Sequence, residues 1–191
     1  QHAHISCTLP EIFDDVKVQE PIFFDDGKIE GIIEEVAEDS LLVKITYTKD
    51  GGGKLKADKG INLPESDLKL SGLTEKDKKD LEFVAPNADA VNFSFVNNAN
   101  DVQQLFDELS KYEITIGIIL KIETQKGFKN LPRIILKAMQ AFPIGVMIAR
   151  GDLAVETGWK NFASIQEEIL RICEAAHIPD VWATQVLENL A

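Results

Sequence analysis

Cysteine and histidine are scarce in this sequence, with two cysteines and three histidines among 191 residues. Cys7 and Cys173 are far apart and match no metal or redox spacing, so we expect reduced thiols and no disulfide framework. The few histidines form no Ser-His-Asp arrangement in the sequence. His177 lies at the predicted end of a helix, where a capping role is favoured over catalysis.

Long hydrophobic runs and an excess of positive charge are also missing. No stretch of about 18 or more apolar residues occurs, and no basic segment leads into an apolar one, which argues against a membrane span and a secretory signal. Asp and Glu number 32 against 20 Lys and Arg, giving a net charge of -12 and a pI near 4.7. This charge repels nucleic acid and anionic membranes, so we expect neither as a partner. The composition predicts a soluble, cytoplasmic protein.

The first third of the chain contains short apolar runs separated by turn residues. Three strands are predicted, over residues 21–24, 29–36 and 41–47. Residues 25–28 form the predicted turn between the first two strands. The glycine run at residues 49–54 predicts a loop, and a phosphate-cradling role is not favoured because no Walker-type Lys-Ser/Thr follows it. The pattern is typical of a small antiparallel β domain, which we assign to residues 1–66.

After residue 66 the pattern changes to alternating strands and helices. Thr74, with Asp77 three residues later, predicts a helix start, and Leu81, Phe83 and Val84 are expected on the apolar side of that helix. Strands are predicted over residues 90–96, 114–122, 144–149 and 181–183, and helices over residues 100–112, 131–142 and 162–177. Apolar strands followed by helices indicate parallel pairing, in a doubly wound sheet or in part of a (β/α)8 barrel. Four βα units in about 120 residues are close to half of a barrel of about 250, so residues 67–191 predict an α/β fold with a partial TIM barrel.

Polar residues collect where the predicted strands end. In parallel βα folds these ends share one rim, which carries the functional groups. Lys121 and Glu123 are two apart on a strand and so project to the same side, either as a plain ion pair or as part of a site. Asp152 follows the next strand and would add a second carboxylate, and Mg2+ typically takes one or two protein carboxylates. Lys121 would then face a phosphoryl group, and Gly151 would let the backbone approach a ligand closely.

Seven segments carry a family resemblance, and they occur in that family's order. They are FFDDGKI (23–29), KGINLP (59–64), LTEKDKKDL (73–81), NFSFV (92–96), KIETQKG (121–127), MIARGDLAVE (147–156) and WATQVLE (182–188). Together they resemble the pyruvate kinase family over nearly the whole chain. The resemblance implies that residues 1–66 form a small β-barrel lid and that residues 67–191 contribute strands four to seven of a barrel. It also implies phosphoryl transfer from phosphoenolpyruvate to ADP, giving pyruvate and ATP in glycolysis.

The resemblance assigns roles to the residues at the strand ends. Lys121 would stabilise the phosphoryl group in transit, and Glu123 and Asp152 would hold Mg2+ or Mn2+. The backbone amides of Gly151 and Asp152 would bind the substrate carboxylate. Thr184 would contact substrate within the proton relay that turns enolpyruvate into pyruvate.

The resemblance also implies a role for the lid, and some positions of this sequence differ from the family's pattern. Asp26, or alternatively Asp25, and Lys59 would approach the phosphates of ADP or ATP when the lid closes. Thr124 stands where the family usually has asparagine, and Glu65 stands where it often has glycine. Nothing here matches the family's arginine for the substrate phosphate or its Asn, Ser and Asp group for K+, so the K+ of the parent enzyme would be held outside this chain.

The ends of the sequence give a further expectation. The chain starts with Gln1 and stops at Ala191, shortly after a predicted strand, so we expect a piece of a longer protein whose isolated form is inactive. Half a barrel leaves two edge strands open, and we therefore expect self-association into a homo-oligomer. Two alternatives remain: a catalytically inactive module of the same family that binds metal and nucleotide, and another phosphoenolpyruvate or pyruvate enzyme built on a barrel.

Overall fold

The computed structural model describes residues 3–184 and residue 186. The chain divides into two compact units, Gln1–Leu70 and Ser71–Ala191. The described residues contain eight β-strands and five α-helices, so the fold is α/β. None of these helices is long and apolar enough to cross a membrane.

The first unit is built around an antiparallel sheet. Its strands are β1 (Pro21–Phe24), β2 (Ile29–Val36), β3 (Leu41–Thr48) and β4 (Ile61–Asn62), in the order β3-β2-β1-β4. The first three confirm the predicted strands, with β3 longer by Thr48. The β1–β2 connection is tight because Asp25, Asp26 and Gly27 all have positive φ. Asp and Gly adopt this left-handed conformation more readily than most residues.

One face of the antiparallel sheet is buried and the other is open. Alternate residues of β2 are buried, as a period of two along a half-buried strand requires. On β3, Ile45 and Tyr47 are 50% and 55% exposed. A short 3-10 helix, Pro10–Asp14, covers the buried face with Ile12. The core of this unit consists of Ile12, Val16, Ile22, Phe24, Ile29, Ile33 and Leu63.

The second unit is a parallel sheet with helices. Its strands are β5 (Ala90–Phe93), β6 (Gly117–Ile122), β7 (Ile144–Ala149) and β8 (Asp180–Ala183), paired in parallel in the order β5-β6-β7-β8. Its helices are α1 (Glu75–Asn87), α2 (Ala99–Leu109), α3 (Gln125–Ala138), α4 (Arg150–Thr157) and α5 (Trp159–Ala176). Each of β5, β6 and β7 leads into a helix, so the polar residues that follow these strands share one end of the sheet.

The two faces of the parallel sheet differ in polarity. Ile118, Leu120 and Ile122 of β6 are fully buried in a core that also includes apolar residues of the helices. Lys121 lies on the opposite face, in register with Met147 of β7. The alternation along β6 therefore separates the core from the lysine, and it carries Glu123 to the same side as Lys121.

The starts of three helices follow from their capping residues. Thr74 and Asp77 form a capping box at α1, which confirms the predicted start, and Asn98 with Asp101 forms another at α2. At α3 the Thr124 side chain accepts a hydrogen bond from the amide of Gly127. Each cap satisfies amide groups that have no partner within the first helical turn.

Three expectations about the helices are wrong. The α3 helix begins at Gln125 rather than 131, because Thr124 caps it and the helix continues through Pro132. The segment after β7 is the helix α4, where no helix was predicted. Phe83 is 74% exposed because it lies two residues from the buried Leu81, on roughly the opposite side of α1.

Candidate active site at the strand ends

A buried ion pair lies at the carboxyl end of β6. The Lys121 Nζ is 2.7 Å from the Glu123 Oε1, and the Glu123 side chain is only 2% exposed. Lys121 also donates a hydrogen bond to the Ser94 hydroxyl at 3.0 Å, which ties it to the segment after β5. The Lys121 side chain is 24% exposed, so it remains partly accessible to solvent. The pairing on one side of the strand, predicted from the two-residue spacing, is confirmed.

The second oxygen of Glu123 has its own partner. The backbone amide of Phe95 donates to the Glu123 Oε2. Phe95 has a φ of 51°, which is uncommon for a bulky residue and usually marks a turn or a functional constraint. Each carboxylate oxygen can accept more than one bond, so Glu123 keeps acceptor capacity beside Lys121. The carboxylate is thereby fixed in orientation and remains able to bind a cation.

The segment after β6 is fastened to the segment after β5 by a threonine. The Thr124 hydroxyl donates to the Asn97 side-chain carbonyl and accepts from the Gly127 amide at 2.9 Å. A Cβ on Gly127 would lie 2.6 Å from the carbonyl oxygen of Val96, so the close approach of α3 requires glycine. Threonine and asparagine are both good N-caps, and the departure at position 124 therefore preserves helix capping.

Gly151 and Asp152 lie in the first turn of α4, directly after β7. A Cβ on Gly151 would meet no atom within 4 Å, so neighbouring residues do not require glycine there. Among residues 3–184 and 186, no group of three or more His, Cys, Asp and Glu side chains could hold a metal ion. The carboxylates of Glu123 and Asp152 are hard oxygen donors, and two of them fit Mg2+, which keeps other positions for water and substrate.

Arg150 connects the end of β7 to the end of β8. Its Nε donates to the Gln166 side chain at 2.8 Å, and its Nη1 donates to the Thr184 carbonyl at 3.0 Å. The guanidinium carbon lies 5.9 Å from the Phe162 ring centre and 5.8 Å from the Trp182 ring centre. No local sequence signal indicates this arrangement, because the partners of Arg150 are 12 to 34 positions away in the chain.

Thr184 follows β8 immediately and is exposed. Its φ of 62° lies in the left-handed region, which β-branched residues rarely adopt. The hydrogen bond from Arg150 to its carbonyl is therefore made to a residue in an unfavourable backbone conformation.

The predicted nucleotide-binding residues lie in the antiparallel unit. The Lys59 Nζ is 3.0 Å from the Asp25 Oδ1, and Lys28 contacts the same oxygen at 3.2 Å. The hydrogen bond with Lys59 is the main cause that lowers the pKa of Asp25. Conversely, the Asp25 hydrogen bond raises the pKa of Lys59, and the exposed Asp26 adds to this effect. Asp25 thus makes the direct contact, whereas Asp26 acts on Lys59 through its charge.

A cavity of about 350 Å³ lies beside this turn. Asp26 is part of its lining, together with Lys28, Tyr47 and Lys54. Lys59 is not among the lining residues, so this cavity holds only one of the two predicted nucleotide contacts.

Comparison with known proteins gives one consistent family. The family model described as the pyruvate kinase barrel domain matches residues 1–191. A pyruvate kinase from Geobacillus stearothermophilus is 37% identical over 188 residues, which cover 97% of this chain and 31% of that protein. Pyruvate kinases from Staphylococcus aureus strains USA300 and NCTC 8325 are each 33% identical over 186 residues, with the same coverage. The chain spans 31% of the length of these curated relatives.

Proposed function

Because the chain belongs to the pyruvate kinase family, we propose that it supplies part of an enzyme that transfers a phosphoryl group from phosphoenolpyruvate to ADP. In this reaction the bond between phosphorus and the C2 oxygen of phosphoenolpyruvate breaks. A terminal oxygen of the ADP β-phosphate forms the new bond to phosphorus, giving ATP. The enolate that remains takes a proton at C3 and becomes pyruvate.

The ion pair at the end of β6 is the observation that carries this proposal. The Lys121 ammonium is held by Glu123 at 2.7 Å and by Ser94 at 3.0 Å, and the lysine side chain is partly accessible to solvent. A fixed cation is the group that phosphoryl transfer needs, because negative charge spreads over the phosphoryl oxygens in the transition state. Positioning before the reaction makes such a charge effective at no further cost of reorganisation.

The remaining residues complete the proposed site. Glu123 and Asp152 hold Mg2+ or Mn2+, and the amides of Gly151 and Asp152 bind the substrate carboxylate at the start of α4. When bound, the metal ion neutralises charge on the phosphoryl oxygens. Thr184 takes part in delivering the proton to C3.

The antiparallel unit has a separate part in the proposal. Asp26 and Lys59 contact the phosphates of the nucleotide, and K+ is held by residues outside this chain. Residues 1–66 are a small β-barrel lid, and residues 67–191 are four βα units of a (β/α)8 barrel. The enzyme is cytoplasmic and forms a homo-oligomer.

The test is ATP formation by the full-length gene product from phosphoenolpyruvate and ADP, with Mg2+ and K+ present. We expect Lys121→Met to lower the rate by about 10²- to 10³-fold, since a preorganised charge is lost. The matched control is Lys129→Met, which removes an exposed lysine of α3 and should leave the rate unchanged. A wild-type protein that binds Mn2+ but forms no ATP would overturn the proposal in favour of an inactive binding module.

A further inference from the structure

The guanidinium of Arg150 holds the chain on both sides of Ala183. Before this residue, the Trp182 ring lies against the guanidinium at 5.8 Å, and after it the Thr184 carbonyl accepts a hydrogen bond at 3.0 Å. A planar guanidinium can stack on an aromatic face and donate hydrogen bonds from its edge at the same time, which a lysine ammonium cannot do. The end of β8 is therefore fixed by a single side chain from the start of α4.

Arg150 is itself held from the other side. Gln166 of α5 accepts the Nε hydrogen bond at 2.8 Å, and the Phe162 ring of the same helix lies 5.9 Å from the guanidinium carbon. Arg150 therefore makes one hydrogen bond and one ring contact to the end of β8, and one hydrogen bond and one ring contact to α5. Locked supporting contacts of this kind are what keep a functional residue in a productive geometry.

The contacts of Arg150 hold Thr184 in an unfavourable backbone conformation. A threonine with a φ of 62° persists only when its surroundings hold it there, and such residues concentrate at functional sites. The hydrogen bond from Arg150 to the Thr184 carbonyl is the contact that opposes relaxation toward an extended conformation. Loss of the bond would let the peptide rotate and would move the threonine hydroxyl.

We propose that Arg150 is a positioning residue for Thr184 and acts through it on proton transfer to C3 of enolpyruvate. The inference rests on the proposed function, in which Thr184 serves this step. In the reverse direction the C3–H bond of pyruvate breaks, its electron pair forms the enolate, and the proton passes to solvent through the relay that includes Thr184. A deuteron from solvent later bonds to C3 as the carbonyl returns. The methyl protons of pyruvate therefore exchange with solvent without net oxidation or reduction.

This exchange separates proton transfer from phosphoryl transfer. The full-length gene product is incubated with pyruvate in D2O, with Mg2+, K+ and inorganic phosphate, and deuterium in the methyl group is followed by NMR. We expect Arg150→Gln to slow exchange by between about tenfold and a hundredfold, as displacement of a catalytic group by about 1 Å does. The KM for ADP should stay unchanged, and Arg171→Gln, which removes an exposed arginine of α5, is the matched control.

A double-mutant cycle identifies the route of the effect. If Arg150 acts through Thr184, then Arg150→Gln causes no further loss of exchange once Thr184→Ala is present. If instead the two losses multiply in the double variant, the residues act independently and the inference is wrong. Unchanged exchange accompanied by a lower unfolding midpoint would also overturn it, because Arg150 would then serve stability alone.

The experiment also covers a variant that does not fold and a wild type that is inactive. Should Arg150→Gln fail to fold, Gln166→Leu removes the partner of the Nε and must show the same pattern in the cycle, or the inference fails. A wild-type protein without ATP formation and without exchange would overturn the proposed function, and the inference with it. Normal ATP formation by the wild type, with additive variants, would overturn only the inference.

Discussion

The two units bury apolar surface in different ways. Among the described residues, the core of the antiparallel unit has seven buried side chains, whereas the core of the parallel unit has twenty-four. A sheet with one open face can bury only alternate residues, while a sheet layered with helices surrounds its core more completely. The parallel unit is therefore the better support for groups that must be held in place.

The ion pairs of the two units show the same difference. Lys59–Asp25 and Lys121–Glu123 have similar N–O distances of 3.0 and 2.7 Å. The carboxylate of the first pair is 18% exposed, but that of the second is 2% exposed. Water can replace a partner of Asp25, whereas Glu123 depends on Lys121 and on the protein backbone. Distance alone thus says little about what an ion pair does.

The largest expected effect compares two fully buried isoleucines, one in each unit. We expect Ile118→Ala on β6 to lower the local free energy of unfolding by about 4–5 kcal/mol and Ile33→Ala on β2 by about 2–3 kcal/mol. The smaller core of the antiparallel unit can relax more completely into the cavity left by Ile33→Ala, and the loss of stability is therefore smaller. Native-state hydrogen exchange of peptides covering residues 117–122 and 29–36 measures the two values separately.

An exposed position of the same chemical type provides the control. Leu136→Ala on α3 removes a side chain that is 68% exposed and should change neither value measurably. If Ile118→Ala and Ile33→Ala lower the free energy of unfolding by the same amount, core size does not determine the loss of stability. The proposed difference between the two units would then be wrong.

The next effect contrasts the two lysines. Lys121→Met leaves the buried Glu123 without its cation and should destabilise the parallel unit by about 3 kcal/mol, the lower part of the range for a broken buried pair. Urea unfolding followed by tryptophan fluorescence reports this, because Trp159 and Trp182 both lie in that unit. Lys59→Met should cost the antiparallel unit little at neutral pH, since exposed pairs contribute little. Native-state hydrogen exchange of peptides covering residues 21–36 measures this loss, because residues 1–70 contain no tryptophan.

A second substitution tests the reason for that loss. Glu123→Gln added to Lys121→Met removes the unpaired charge and should recover part of the stability. No recovery would mean that Lys121 stabilises the unit by packing. For Lys59→Met the loss should disappear in acid, because a carboxylate with a lowered pKa adds stability only while it is ionised, and this contribution is lost from the wild type as well when the pH falls below about 4.

The smallest effect concerns the two cysteines, one in each unit. Burial raises the pKa of Cys173 to about 11, so its thiol stays protonated and should resist iodoacetamide at pH 8, while the half-buried Cys7 is labelled. Between about pH 8.5 and pH 11 the unfolded thiol loses its proton and the native thiol does not, so stability should fall with rising pH. Mass spectrometry of the wild type locates the label on Cys7, and Cys7→Ser, with and without urea, isolates the reaction of Cys173. Labelling of Cys173 in the native protein would contradict the expectation.

Most strands and helices could be predicted from patterns of residues that are neighbours in the sequence. The apolar run 144–149 matches β7, and the Thr74 cap marks the start of α1, because both depend on neighbouring residues alone. The early start of α3 was missed because residues 125–130 contain a single apolar side chain, Phe128, which is too few to show a helical period. The helix α4 was not predicted because it is only eight residues long, and its Leu153 and Ala154 stabilise it through burial in the core.

The candidate site was predictable only in part. The two-residue spacing of Lys121 and Glu123 placed them on one side of a strand, and the ion pair follows from that. No local signal announces the contact of Arg150 with Thr184, since it depends on how two neighbouring strands end. The choice of Asp25 over Asp26 as the partner of Lys59 depends on the left-handed turn, which the sequence indicated without resolving.

The strand order of the parallel sheet bears on how the chain is made. Because β5, β6, β7 and β8 are neighbours in the same order as in the sequence, each strand pairs with the one synthesised before it. No strand has to wait for a later segment to insert between it and its neighbour. Such near-neighbour pairing keeps the lost chain entropy small at every step. The strand order therefore allows the sheet to grow on the ribosome one βα unit at a time.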